Sequence, residues 1–168
     1  MNLTIVPMAM VSLLAPSGSP VPKLHVQVCD KPCDIEEQVE IKVRIENRGK
    51  GPFYFYSEFS WGAAGYLDFE VFRQNGEPVP SRIAIDDWTI EAFREPELEK
   101  LIELEPGQSI ETGEKLYVDE LVEKPGKYRM MVRYVSRAPW PTFKGLPVWN
   151  RDSGPILGST WFEVSDGK

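Results

Sequence analysis

His25 is the sole histidine of the 168-residue chain, so any Ser-His-Asp or Cys-His nucleophilic site would have to be built on it. It stands between Leu24 and Val26, on the polar parity of an alternating segment. That parity puts the imidazole on the solvent side of a strand, where a hydrated histidine is the expectation. Asp86 and Asp87, with Glu91 and Glu95, offer the paired carboxylates used in glycoside cleavage or the oxygen ligands of calcium. No Asp-x-Asp-x-Asp-Gly loop accompanies them, and adjacent carboxylates on an acidic chain are ordinarily just hydrated. A metallopeptidase centre of the His-Glu-x-x-His kind needs a second histidine. The chain is therefore expected to be no enzyme and to carry neither metal nor cofactor.

Cys29 and Cys33 are the two cysteines, in Cys-Asp-Lys-Pro-Cys. They can bridge if the chain turns enough to bring their Cα atoms within about 4.4–6.8 Å. Asp30, Lys31 and Pro32 are turn-forming residues, so a structural disulfide is favoured. Two free thiols are the alternative. A redox pair fits poorly, because the spacing is not Cys-x-x-Cys, and a metal site would want more ligands than these thiols and His25 supply.

The aromatic residues are the stronger lead. Tyr54, Tyr56, Phe59, Trp61 and Tyr66 gather around a Gly-Ala-Ala-Gly stretch, while Trp88, Trp140 and Trp149 fall in expected loops. Exposed Trp and Tyr side chains anchor protein interfaces or stack on sugars; otherwise they fill a core. The proline-rich stretch 138–158 has little else to bury, which makes Trp140 and Trp149 the expected exceptions to core filling. Trp61, Trp88, Trp140, Trp149 and Arg151 are the candidate binding residues.

The elements that must position them are strands. Val39, Ile41, Val43 and Ile45 alternate with Glu40, Lys42, Arg44 and Glu46, the pattern of a half-buried strand with a charged outer face. Leu24, Val26 and Val28 share a parity; so do Leu67, Phe69 and Val71, and so do Tyr128, Met130, Val132 and Tyr134. Phe53 to Tyr56 is an aromatic strand, and Trp161-Phe-Glu-Val closes the chain as a last one. Asn47-Arg-Gly-Lys-Gly-Pro, Gln74-Asn-Gly, Pro106-Gly and Pro125-Gly mark the turns. Short helical turns are expected over residues 88–93, ended by Pro96, and at the close of 109–121. Strands at near-regular spacing without a helical period predict an all-β fold, an antiparallel β-sandwich of about seven to nine strands with one or two helical turns.

Length fits one domain. Nineteen Lys and Arg against 26 Asp and Glu give a formal net charge of −7. A negative surface repels phosphate, so nucleic acid and anionic membranes are poor partners. Residues 3–15 are apolar, too short to span a bilayer but suited to a secretory signal, with small residues following at a possible cleavage site. No Lys or Arg precedes Lys23, which departs from the usual basic start. Residues 1–22 are read as leader and linker and 23–168 as the domain. Secreted or periplasmic location is the expectation, in keeping with a disulfide, and no membrane span is expected in the mature chain.

The order of these signals resembles bacterial immunoglobulin-like modules. The matching runs are residues 39–47 ending in Asn-Arg-Gly, Asp68-Phe-Glu-Val-Phe-Arg-Gln-Asn-Gly76, Leu104-Glu-Pro-Gly-Gln-Ser109 and Pro125-Gly-Lys-Tyr128, with Gly145-Leu-Pro-Val-Trp149 and a final Phe162-Glu-Val behind them. Similar runs occur in the Bacillus intracellular proteinase inhibitor domain and in the non-catalytic immunoglobulin-like domain of deuterolysin-type metallopeptidases. The likeness covers residues 24–165, and it implies an immunoglobulin-like sandwich with no catalytic residue of its own. The function that follows is a non-enzymatic interaction module that binds a protein or cell-surface polymer through loop aromatics. A proteinase inhibitor acting through the 138–158 loop and a carbohydrate-binding module are the alternatives.

Overall fold

Alternation in the sequence becomes burial in three dimensions. The computed structural model describes residues 18–61, 66–80 and 95–166. Its strands are, in chain order, β1 (Pro22–Gln27), β2 (Cys33–Asp34), β3 (Gln38–Asn47), β4 (Phe53–Tyr56), β5 (Leu67–Arg73), β6 (Pro78–Val79), β7 (Leu101–Leu104), β8 (Ser109–Tyr117), β9 (Gly126–Tyr134), β10 (Thr142–Phe143), β11 (Leu146–Pro147) and β12 (Ile156–Ser165). A single-turn helix, α1 (Val118–Leu121), follows β8 where a helical turn was expected. A 3-10 turn at Leu98–Lys100 follows Pro96. The helical turn expected over 88–93 lies outside the described residues.

Two sheets make the body. One is three-stranded, in the order β1-β3-β8, and the other five-stranded, in the order β2-β12-β9-β5-β6. Ile41, Val43 and Ile45 of β3 and Met130, Val132 and Tyr134 of β9 are each at most 1% exposed. These side chains face one another across the dry interior, and each fully buried aliphatic chain contributes about 1.5–3 kcal/mol. β1, β3 and β8 stand as the A, B and E strands of an immunoglobulin-like sandwich, and β5, β9 and β12 as C, F and G. Tyr128, at the start of β9, donates its hydroxyl to the Lys124 carbonyl at 2.7 Å. That is the tyrosine corner of such sandwiches, here built against Gly126. All-β and immunoglobulin-like is therefore the fold; the strand segments exceed the expected seven to nine because short ribbons, β4–β7 and β10–β11, are added to the two main sheets.

The first edge of the sandwich is split between the sheets. β1 pairs antiparallel with β3, and after a bend β2 pairs parallel with β12, Cys33 opposite Val164. The Cys29–Cys33 disulfide spans that crossing, with a Cα separation of 6.2 Å. β1 also passes close over β12. A Cβ on Gly158 would lie 2.6 Å from the Leu24 carbonyl oxygen, so glycine is required there. This corrects the expected 138–158 loop: the strand begins at Ile156, and Gly158 marks a close backbone approach instead of a loop. At the other end of β1, residues 18–21 run against the turn after β3. Arg48 N–H donates to the Val21 carbonyl at 2.8 Å, and a Cβ on Gly49 would meet the Ser19 carbonyl oxygen at 2.4 Å.

β4 departs from alternation. Phe53, Tyr54, Phe55 and Tyr56 are all buried, because β7 pairs along one edge and Val148 bridges Tyr54 along the other. The turn before it is clamped by Asn47, which is fully buried. Its side-chain amide donates to the carbonyls of Gly51 and Leu104, each at 2.9 Å, and its oxygen accepts from Gly49 N–H at 2.9 Å.

Candidate binding surfaces

The stretch 135–155 joins β9 to β12 and folds back on β4. Trp149 N–H donates to the Tyr54 carbonyl at 2.9 Å, Val148 N–H to Pro141 and Arg151 N–H to Ala138. Its centre is the β10–β11 hairpin, in which Phe143 pairs with Leu146. Lys144 and Gly145 form the two-residue tip with φ of 47° and 80°, the two positive values that a type I′ turn demands. The expected binding aromatics divide accordingly. Trp140 and Trp149 are half-buried and pack against the core, Trp149 edge-on to Phe53 with 6.3 Å between ring centroids. Trp61 is half-buried and edge-on to Phe69 at 6.1 Å. Arg151 is exposed. Trp140, Trp149 and Arg151 thus stand on one loop and Trp61 stands beside the start of β5, while Trp88 lies outside the described residues. Asp86, Asp87 and Glu91 lie outside them as well, and Glu95 is exposed.

Below this loop the tyrosines form a stack. Tyr56 and Tyr66 lie 5.1 Å apart, and Tyr66 and Tyr134 lie 6.3 Å apart. Tyr134 donates its hydroxyl to the Tyr56 carbonyl at 3.1 Å, and Tyr56 donates to Glu58 at 3.0 Å. Burial pushes the Tyr134 and Tyr66 hydroxyls well above the ordinary tyrosine value, and neighbouring Tyr56 adds to it. Arg137 lies 5.5 Å over the Tyr66 ring. These groups are structural cement at the end of the sandwich.

His25 sits where its parity put it, on the outer face of β1 opposite Arg44. Its Nε2 lies 3.1 Å from Glu46, whose other oxygen accepts from Arg48 Nε at 2.8 Å. Burial alone would push the Glu46 carboxyl up, but Arg48 and then His25 more than offset that and hold it below the ordinary value. The rest of this face repeats the theme: Glu40, Lys42, Arg44, Glu111 and Lys115 point outward and are exposed. It is a hydrated charged surface.

The outer face of the five-stranded sheet is built differently. Phe162 and Val164 point inward, so Trp161 and Leu157, an odd number of residues away, must point out. They are 49% and 57% exposed. The register places Pro78, Phe72, Arg129 and Trp161 in one row across the sheet, and Asp68, Arg133 and Leu157 in another. Between them runs Glu70, Met131 and Ser159. Arg133 donates to Asp68 at 2.9 Å, and Lys127 Nζ lies 5.7 Å over the Trp161 ring. A cleft of about 310 Å³ opens between Asp68, Met131, Arg133, Pro155 and Leu157. In the sequence Trp161 reads only as part of a closing strand. The parity of its own strand was the signal that could have singled it out.

No family model matches the chain, and no curated protein matches it. The resemblance to the Bacillus inhibitor domain and the deuterolysin-associated domain thus gains no support beyond the architecture. Among solved structures the chain is similar to the CARDB domain of the PF1109 protein from Pyrococcus furiosus, solved with di-metal ions. The identity is 12% over 95% of this chain and 100% of that one, with a TM-score of 0.41. It is also similar to part of the β-glucosidase EmGH1 from Erythrobacter marinus, at 13% identity over 87% of this chain and 16% of that one, with a TM-score of 0.37. At such scores the fold rests on the strand order itself.

Proposed function

We propose that the chain is a non-enzymatic, extracytoplasmic binding module that engages a protein partner through the open face of its five-stranded sheet. The observation that carries this reading is the exposure of Trp161 and Leu157 on one sheet face, flanked by Phe72 and Met131. These apolar side chains alternate with the arginines of β9, and Trp and Arg are the residues that most often anchor protein interfaces. The opposite face of the same sandwich is mostly charged, with Glu40, Lys42, Arg44, Glu111 and Lys115 exposed and Tyr117 the one large apolar side chain among its described outward residues. Location outside the cytoplasm is supported by the Cys29–Cys33 disulfide and by the apolar run at residues 3–15.

The test is capture from the native envelope fraction with the intact chain as bait. Trp161→Glu and Leu157→Glu should each abolish retention of the partner while the melting profile stays that of the parent. Retention that survives both substitutions overturns the sheet-face reading. A second reading uses the 135–155 loop, favoured by exposed Arg151 and by the protruding Lys144 tip. In that case Arg151→Glu and Trp140→Ala would remove binding and the sheet variants would not. A proteinase inhibitor acting through this loop has weaker support, since a protease cleft receives an extended segment and the tip is a tight turn. Sugar binding through Trp140 and Trp149 would have to use rings already packed on the core.

A further inference from the structure

The open face of the five-stranded sheet has a charge pattern that matches itself. Along β9 the outward residues include Lys127, Arg129 and Arg133; along β5 they are Asp68, Glu70 and Phe72; β12 adds Glu163. Cations and anions are thus balanced on these three strands, although the chain as a whole carries −7. Two copies meeting through other acidic surface would repel, whereas this face carries no such penalty. The anions are also not scattered among the cations. Asp68 and Glu70 form a column on β5 beside the cation column on β9, and Glu163 lies beyond that column on β12, opposite Lys127.

We propose that a second copy of this chain docks on this face, about a twofold axis running parallel to the strands along the seam between β5 and β9. The inference rests on the sheet-face reading above and names its partner. A rotation about that axis keeps each row at its own level and exchanges β5 with β9 and β6 with β12. Asp68 then lies over the second copy's Arg133, and Arg133 over the second copy's Asp68. In the middle row Glu70 lies over the second copy's Met131, flanked by the arginines of β9; in the row beyond it Phe72 faces the guanidinium of the second copy's Arg129, and Trp161 faces the second copy's Pro78. Each contact occurs twice, as an isologous interface requires. The Arg129 guanidinium stands between Phe72 and Trp161 in its own row, and an aromatic face of the second copy laid over it adds a cation–π contact. Two sheets stacked in this way pack about 10 Å apart, with their strands within about 30° of parallel.

Sedimentation equilibrium of the intact chain, from about 10 µM to about 1 mM, reads the result directly. The expected outcome is a weight-average mass that rises from monomer to dimer. Asp68→Arg alone sets like charges over each other twice, as does Arg133→Asp alone, and each should weaken association at least tenfold. An equimolar mixture of these two variants should dimerise again, because every like-charged contact becomes an opposite-charged one. Each single substitution breaks a surface ion pair within the chain, worth about 0–1 kcal/mol, and sets two like charges opposite one another on β5 and β9, worth a similar amount, so both variants should fold with a slightly lower melting midpoint; a thermal melt checks this. A parent chain that stays monomeric throughout the range overturns the proposal, and so does association that Asp68→Arg leaves unchanged. If the parent is monomeric while Trp161→Glu still abolishes envelope capture, self-association has failed and the sheet-face reading stands. If the capture survives Trp161→Glu, that reading has failed instead.

Discussion

Asn47 is a side chain whose loss should reach furthest. It is buried, and its amide ties the turn after β3 to the end of β7 through the carbonyls of Gly51 and Leu104. Asn47→Ala removes a donor from two buried carbonyls, each costing about 1–3 kcal/mol when unpaired, so a loss of about 2–6 kcal/mol is expected in urea unfolding. The m-value should stay that of the parent, because the surface exposed on unfolding barely changes. Tyr128→Phe removes one hydroxyl bond to Lys124 and should cost only about 1 kcal/mol. Both positions were visible in the sequence as members of turn motifs. What neither motif disclosed was that the Asn47 amide reaches Leu104, 57 positions away.

Among the elements, β12 and β8 carry the sharpest consequences. Gly158→Ala places a Cβ 2.6 Å from the Leu24 carbonyl oxygen, so β1 must move off β12. The expected loss is about 1–3 kcal/mol, read as a lower midpoint in thermal melting. The strand β8 pairs only with β3 among the described residues, which leaves its other edge open. Glu114 stands on its inward parity, opposite Ile41, and is half-buried. An inward-pointing charge on an edge strand is a guard against edge-to-edge pairing. Glu114→Val should therefore raise aggregation on warming, measured by light scattering, even if the melting midpoint rises. The alternation of β3, β5 and β9 could be read from the sequence because one face of each is wet and the other dry. β4 could not be read that way, since β7 and the 135–155 loop enclose it and remove the contrast between its faces.

At the level of the whole molecule, stability should fall at both ends of the pH scale. Glu46 has a lowered carboxyl value in the folded state, so its contribution is present above the ordinary value of 4.5 and is lost as pH falls through the lowered one. Glu46→Gln should flatten the acid limb of a stability–pH curve. Tyr66 and Tyr134 have raised values, so their contribution is complete below the ordinary value of 10.0 and is lost as pH rises through the raised ones. Absorbance of tyrosinate should therefore lag behind free tyrosine on alkaline titration and appear together with unfolding. Reduction of the Cys29–Cys33 bond should cost about 2 kcal/mol, as expected for so small a loop, without removing the fold.

Local pattern alone reveals which side chains are dry in the strands that keep one wet face. Period-two alternation and turn residues indicate two packed sheets and an outward His25 because these follow from local chemistry, whereas the sequence left Cys29 and Cys33 between a bridge and two free thiols and the structure shows the bridge. Tertiary structure decided which of the outward aromatics remain outward. Trp140 and Trp149 lost much of their exposure when the loop folded onto β4, while Trp161 kept its own because the described structure lays no element over its sheet face. Burial depends on what arrives from elsewhere in the chain, and no local pattern records that arrival.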